Sequence, residues 1–368
     1  MTFEEIKALD HQYVMQSYGR FDVAVDHGRG ATLWDTQGRE YIDFTSGIGV
    51  CSLGYADEGW VNAITEQAGK LGHISNLFYA EPYVKAAEKL CRKAGMSNVF
   101  FANSGAESNE GLIKLARKYS FDKYGKGRGT VITLHNSFHG RTITTLAATG
   151  QDVFHHDFLP LTVGFVYAEP NDLADLARLI AENKCAAVMM EVVQGEGGVM
   201  PLDEAYVKGA AKLCQENDLL LICDEVQIGN GRSGMLYGYM TYGVQPDIVS
   251  TAKGLAGGLP LGATLLGEKV QNVLSAGTHG STFGGNPVCC AGAVNILSRI
   301  DDRLLEGVRE RSDYLRRTLQ AAPGIRSVTG MGLMLGLEID IPAREFAERA
   351  LREGVLVIDA AGRLQVVN

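Results

Sequence analysis

The sequence predicts an α/β protein: a mostly parallel sheet covered by helices on both faces, with a smaller α+β domain beside it. Three observations carry this. From about residue 98 to 267, short apolar runs alternate with longer segments of helical period. The run LLLIC is continuously apolar, as in strands buried on both faces. After Gly285 the texture changes to a long helical stretch followed by a few short strand-like runs.

In chain order, the hairpin-like ATLWDTQGREYIDF falls within residues 1–46, which are assigned to the smaller domain. Residues 47–285 form the large domain. Its strands are NVFF, TVITL, AAVMME, LLLIC, DIVST and ATLLG, and its helices include Glu107 to Tyr124, Asp172 to Glu182 and Asp203 to Asn217. Residues 286–368 return to the small domain: one long helix from Pro287 to Ala322, then IRSVTG, LMLGLEI, another helix and VLVI.

Composition narrows the function. A chain of 368 residues, 46% hydrophobic and 21% charged, can bury a sizeable core. A net charge of -9 with dispersed basic residues argues against nucleic-acid or anionic-membrane partners and for small molecules. The N-terminus lacks the pattern of a secretory signal, and no run approaches a membrane span of about 18 apolar residues. Seven cysteines, odd in number and without CxxC spacing, suit free thiols in a reducing cytoplasm. Gly47, Gly49 and Gly54 in GIGVCSLG lack the spacing of a dinucleotide-binding GxGxxG, a P-loop lysine motif and the metal-binding HExxH are missing, and His155 with His156 reads as a solvated loop rather than a ligand pair.

Strand ends carry the chemistry. After NVFF, Ser104, Gly105 and Ala106 open a helix, offering free N–H groups and a hydroxyl to a phosphate, although an ordinary N-cap looks the same. After TVITL, Phe138 could stack on a planar ligand and Arg141 could grip a carboxylate. Glu196 stands in the glycine-rich loop QGEGG after the next run. LLLIC leads to Asp224, Glu225, Val226 and Gln227; adjacent strand residues face opposite sides, so Asp224 and Glu225 should do different work. DIVST leads to Lys253, where desolvation favours the neutral, nucleophilic amine.

Each feature singly has an ordinary explanation, but a phosphate cradle, a stacking aromatic, an acid and a lysine after successive strands have one common ligand. Pyridoxal 5'-phosphate (PLP) needs all four.

At these residues the chain resembles a known family. NSGAESNEGLIKLARKY, FHGRT, QGEGGV, DEVQIGNGRSG, GVQPDIVSTAKGLAGGLPLGA and HGSTFGGNP are similar to the class III, fold-type I, PLP-dependent aminotransferases, nearest their acetylornithine branch. The resemblance implies that Lys253 is the Schiff-base lysine and Asp224 the partner of the ring nitrogen. It places Val226 and Phe138 on the two ring faces, Gln227 at the ring hydroxyl, and Ser104, Gly105 and Ala106 at the phosphate. It also implies a cytoplasmic homodimer with shared sites, in which Thr282 reaches the neighbouring subunit's phosphate and Ser281 lies near its substrate. Arg141 is implied to bind the substrate carboxylate remote from the reacting amine.

The implied reaction converts N2-acetylornithine and 2-oxoglutarate to N-acetylglutamate 5-semialdehyde and glutamate, a step of arginine biosynthesis. In relatives a second arginine near the C-terminus takes the α-carboxylate of glutamate and is masked by a glutamate whose place Glu196 fits. Here the chain reads GRLQVVN: by register Val366 stands near that arginine's place, Arg363 is the only basic residue nearby, and the family's last segment is in question. Aminotransferases for ornithine or other N-acyl diamino acids, and an aminomutase needing no second arginine, remain open at this point.

Overall fold

The computed structural model describes residues 1–367. A seven-stranded sheet forms its centre, in the spatial order Asn98–Ala102, Gly262–Leu266, Ile248–Thr251, Leu220–Asp224, Cys185–Met190, Thr130–Leu134, Phe165–Ala168. Gly262–Leu266 runs antiparallel to both of its neighbours, and the remaining pairs are parallel. Cys185–Met190 and Leu220–Asp224 are buried throughout, which explains their unbroken apolar sequences. Core residues lie on both sheet faces, one layer including Leu221, Cys223 and Val249, the other Leu220, Ile222 and Ile248.

The anticipated helices are Gly105–Tyr124, Leu173–Glu182 and Glu204–Glu216. Ser104 caps the first, its Oγ accepting from Glu107 N at 3.2 Å. The edge strand Phe165–Ala168 went unanticipated because it is short and only partly buried.

Two four-stranded sheets flank the centre. Val25–Arg29, Thr32–Asp35 and Glu40–Asp43 are joined by Val355–Leu356, which pairs in parallel with Glu40–Asp43, so the two chain ends meet in one sheet. Ile325–Met331, Met334–Ile339, Arg363–Val367 and Ile358–Ala360 form the other, fully antiparallel. The run VLVI is therefore divided between sheets.

The expected single helix from Pro287 to Ala322 is instead two, Pro287–Arg299 and Asp302–Gln320. Ile300 and Asp301 leave helical dihedrals, and the Asp301 side chain caps the second helix by accepting from Leu304 N at 2.9 Å. No described helix is long and apolar enough to cross a membrane.

Candidate active site

The carboxyl ends of the central strands surround a cavity of about 270 Å³, lined among others by Gly105, Ala106, Phe138, Arg141, Glu191, Glu196, Asp224, Val226, Gln227 and Lys253. Ligands gather at this position in open α/β sheets. Asp224 ends its strand only 4% exposed, yet its carboxylate is fully engaged. Oδ2 accepts from Asn109 Nδ2 and from His139 Nδ1, each at 2.8 Å, and Oδ1 accepts from Val226 N at 3.0 Å. Such donors hold a buried carboxylate in one orientation. Asn109 Nδ2 also donates to His139 O at 2.7 Å, locking the imidazole loop to the helix.

Glu225 has the opposite environment. It is fully buried, away from the cavity, and accepts from Gly238 N at 2.7 Å and Tyr239 N at 2.9 Å. Burial pushes its carboxyl up to about 8, against the pull of those two donors. The two adjacent acids thus do separate work, as strand alternation requires.

Lys253 opens a short 3-10 turn with φ +40, a strained left-handed conformation for a residue with a Cβ. Burial draws its amine below the ordinary lysine value, while Glu196, Glu191 and Asp224 pull the other way. Desolvation therefore favours the unprotonated nucleophile, and nearby acids temper it.

Glycine sets the spacing of the walls. A Cβ at Gly105 would lie 2.6 Å from Val226 Cγ1, so the helix start and Val226 touch only because residue 105 has no side chain. A Cβ at Gly195 would lie 1.4 Å from Gln227 Oε1. Gln227 Nε2 approaches Glu196 Oε1 at 3.4 Å, and its Oε1 is buried with no partner among the described residues. The Phe138 ring meets Phe154 edge-on at 5.8 Å, and the exposed Arg141 guanidinium lies 5.6 Å from the Phe138 centroid.

A family model described as aminotransferase class-III matches residues 13–367. The chain belongs to the class III aminotransferases. This class III aminotransferase is 51% identical, over 100% of its length and 94% of the other's, to the acetylornithine aminotransferase of Haemophilus ducreyi. It resembles the solved N-acetylornithine aminotransferase of Stenotrophomonas maltophilia, with a TM-score of 0.83, 36% identity and coverage of 97% and 91% of the two chains. It also resembles the ornithine aminotransferase of Toxoplasma gondii in a structure with partial occupancy of PLP at the active site (TM-score 0.92, 34% identity, 99% and 89% covered). The fold is accordingly fold-type I.

Nine of the twelve residues singled out, all but Ser104, Ser281 and Thr282, line this cavity. Ser104 lies at the helix start beside Gly105, exposed and already capping. Ser281 and Thr282 line a different hollow, with Asn76, Tyr83, Phe101 and His279, and Ser281 Oγ accepts from Asn103 Nδ2 at 3.2 Å. Within one chain they are not brought to Lys253.

Two expectations need correction. His155 is not solvated: it is 7% exposed, and its Nε2 lies 2.8 Å from Thr149 O and 3.0 Å from Leu146 O. Val366 does not face the site either; it packs in the core cluster of the C-terminal sheet with Leu335 and Leu364. Gln365, its neighbour, takes the opposite face. It pairs with Gly336, where a Cβ would lie 2.8 Å from Gly198 O, so Gln365 sits under the QGEGG loop. It is 1% exposed, and neither its Nε2 nor its Oε1 has a partner among the described residues. Arg363 flanks the same loop: its Cδ would lie 3.1 Å from a Cβ at Gly198.

Asn109, His139 and Glu191 escaped the sequence reading. Glu191 ends the run AAVMME just as Asp224 ends its own, so the same signal could have found it.

The donor set fits PLP. An oriented buried acid, an amine of lowered basicity, an unpartnered amide oxygen at Gln227 and a glycine-started helix are what its ring nitrogen, aldehyde, hydroxyl and phosphate require.

Proposed function

We propose that this enzyme transfers the δ-amino group of N2-acetylornithine to 2-oxoglutarate, as in arginine biosynthesis, using PLP. The single observation that carries the reading is the convergence of Lys253 and the triply anchored Asp224 on one cavity in a chain 51% identical to an acetylornithine aminotransferase. When bound, the cofactor supplies an electron sink for the substrate carbon. Asp224 would hold its ring nitrogen, Gln227 its hydroxyl, Val226 and Phe138 its ring faces, and Ser104, Gly105 and Ala106 its phosphate.

The Lys253 amine would hold the cofactor aldehyde and, once freed by the substrate amine, would act as the general acid and base that moves a proton between the substrate carbon and the cofactor. A lowered pKa suits both duties. Arg141, which lines the cavity, would grip the carboxylate of the acylated diamino acid. For the glutamate half-reaction, the small-domain strand offers Arg363 and the buried amide of Gln365 beneath the Glu196 loop. An aminomutase reading has no observation of its own in its favour.

We further propose that the enzyme is a homodimer with shared sites. Thr282 is exposed beside a hollow, and Leu77 and Tyr79 nearby are 88% and 97% exposed, an apolar display typical of an interface. The division at residues 46 and 285 is likewise retained, supported by the sheet that joins the two chain ends.

Turnover with N2-acetylornithine and with free ornithine, each with 2-oxoglutarate, tests the substrate. A kcat/KM at least tenfold higher for the acetylated substrate is expected; a preference for ornithine overturns the assignment.

A further inference from the structure

Glu191 is a buried carboxyl group inside the cavity to which the reaction above gives no task. It is 5% exposed and follows the strand Cys185–Met190 directly. Its Oε2 accepts from Phe138 N at 2.8 Å and its Oε1 from Gly195 N at 3.3 Å. The first amide belongs to the loop after the neighbouring strand, which presents the Phe138 ring. The second begins the turn that carries Glu196 and abuts Gln227.

We propose that Glu191 is a positioning residue for amino transfer: its carboxyl group ties the Phe138 backbone to the Gly195 backbone and so fixes the aromatic platform and the Glu196 turn relative to Lys253. The proposal rests on the reading of Lys253 and Phe138 as cofactor-binding residues, but the clamp itself does not.

Three arguments support it. A buried carboxyl group carries a large desolvation cost, and its persistence at a cavity wall needs a return. Gly195, Gly197 and Gly198 bring no side chains to the turn, and one further tie, Gln194 Nε2 to His135 O at 2.8 Å, joins the same two loops. The charged groups acting on Glu191 are Asp224, which raises its pKa, and His139, which lowers it; Glu191 in turn acts on Lys253, together with Glu196 and Asp224. Burial pushes the Glu191 carboxyl up to about 7. Its charge therefore varies across the neutral range, and with it the support given to a proton on the lysine amine.

Glu225 is a control within the same fold, because it too bridges two backbone amides but stands away from the cavity. Three full-length variants, Glu191→Gln, Glu191→Asp and Glu225→Gln, are compared with the native chain by amide hydrogen exchange without cofactor, then by steady-state kinetics and pH titration of bound-cofactor absorbance. Glu191→Gln is expected to speed exchange in both segments, 135–142 and 191–199, to raise KM about tenfold and to move the absorbance midpoint to lower pH. Glu191→Asp keeps the charge but not the reach, so exchange and KM should change while the midpoint holds. Glu225→Gln should lower stability and leave KM and midpoint in place.

Unchanged exchange in both segments in Glu191→Gln overturns the clamp. Faster exchange with KM within twofold of native reduces Glu191 to a structural group like Glu225. A native chain showing no cofactor absorbance refutes the PLP reading separately, and the exchange result still decides the clamp.

Discussion

Lys253 and Glu225 illustrate how burial of a single residue becomes a pH dependence. Lys253 has a lowered pKa in the folded chain. Between that value and about 10.4, the unfolded chain holds a proton the folded chain has shed, so stability of the cofactor-free protein rises with pH in that window. Lys253→Met should abolish this rise in urea midpoints taken at increasing pH, and should also abolish turnover. Glu225, pushed up to about 8, acts in reverse. Between about pH 4.5 and 8 the folded chain keeps a proton that the unfolded chain loses, so stability falls as pH rises. Glu225→Gln should flatten that fall while costing about 1–3 kcal/mol for an unmatched buried amide donor, measured by denaturation at both ends of the window. Gln365 has two buried polar atoms without partners among the described residues. Gln365→Met is expected to raise the melting temperature and to raise KM for 2-oxoglutarate, since a stabilising change at a functional position costs function.

At the scale of elements, the strand ends matter more than the helices. Asp224 and Lys253 stood out in the sequence because a charged residue at the end of a strand-like run is conspicuous and strand order is easy to follow. Glu191 ends a run in the same way but was overshadowed by Glu196 in its glycine-rich loop. Asn109 and His139 were not legible, because their role is to orient Asp224 and depends on which loops the sheet order places side by side. The break at Ile300 and Asp301 was hidden by helical period on both sides, although Asp301 is an ordinary N-cap residue. Asp301→Ala should destabilise by about 0.5–2 kcal/mol with no change in KM. Gly105→Ala should force Val226 from its place, and a loss of cofactor retention of about tenfold on dialysis is expected; retention equal to native would remove Gly105 from the cradle.

For the whole molecule, the sequence carried the layer architecture because its alternation of apolar runs and helices has few three-dimensional solutions. It could not carry the register of the C-terminal sheet. A shift of one residue exchanges Val366 for Gln365 on the face under the Glu196 loop, and only the pairing of Gly336 with Gln365 decides it. The separation of Ser281 and Thr282 from Lys253 makes a molecular prediction of its own. Lys253→Ala and Thr282→Ala proteins, each impaired alone, should recover part of the activity when mixed and allowed to exchange subunits. No recovery, or a monomer in sedimentation, would contradict shared sites.

The central claim is that one cavity, built around Lys253 and Asp224, carries amino groups in both directions. An absorbance spectrum of the PLP-loaded protein tests it most directly. The account predicts a cofactor band that N2-acetylornithine abolishes and 2-oxoglutarate restores; a band that responds to neither would contradict it.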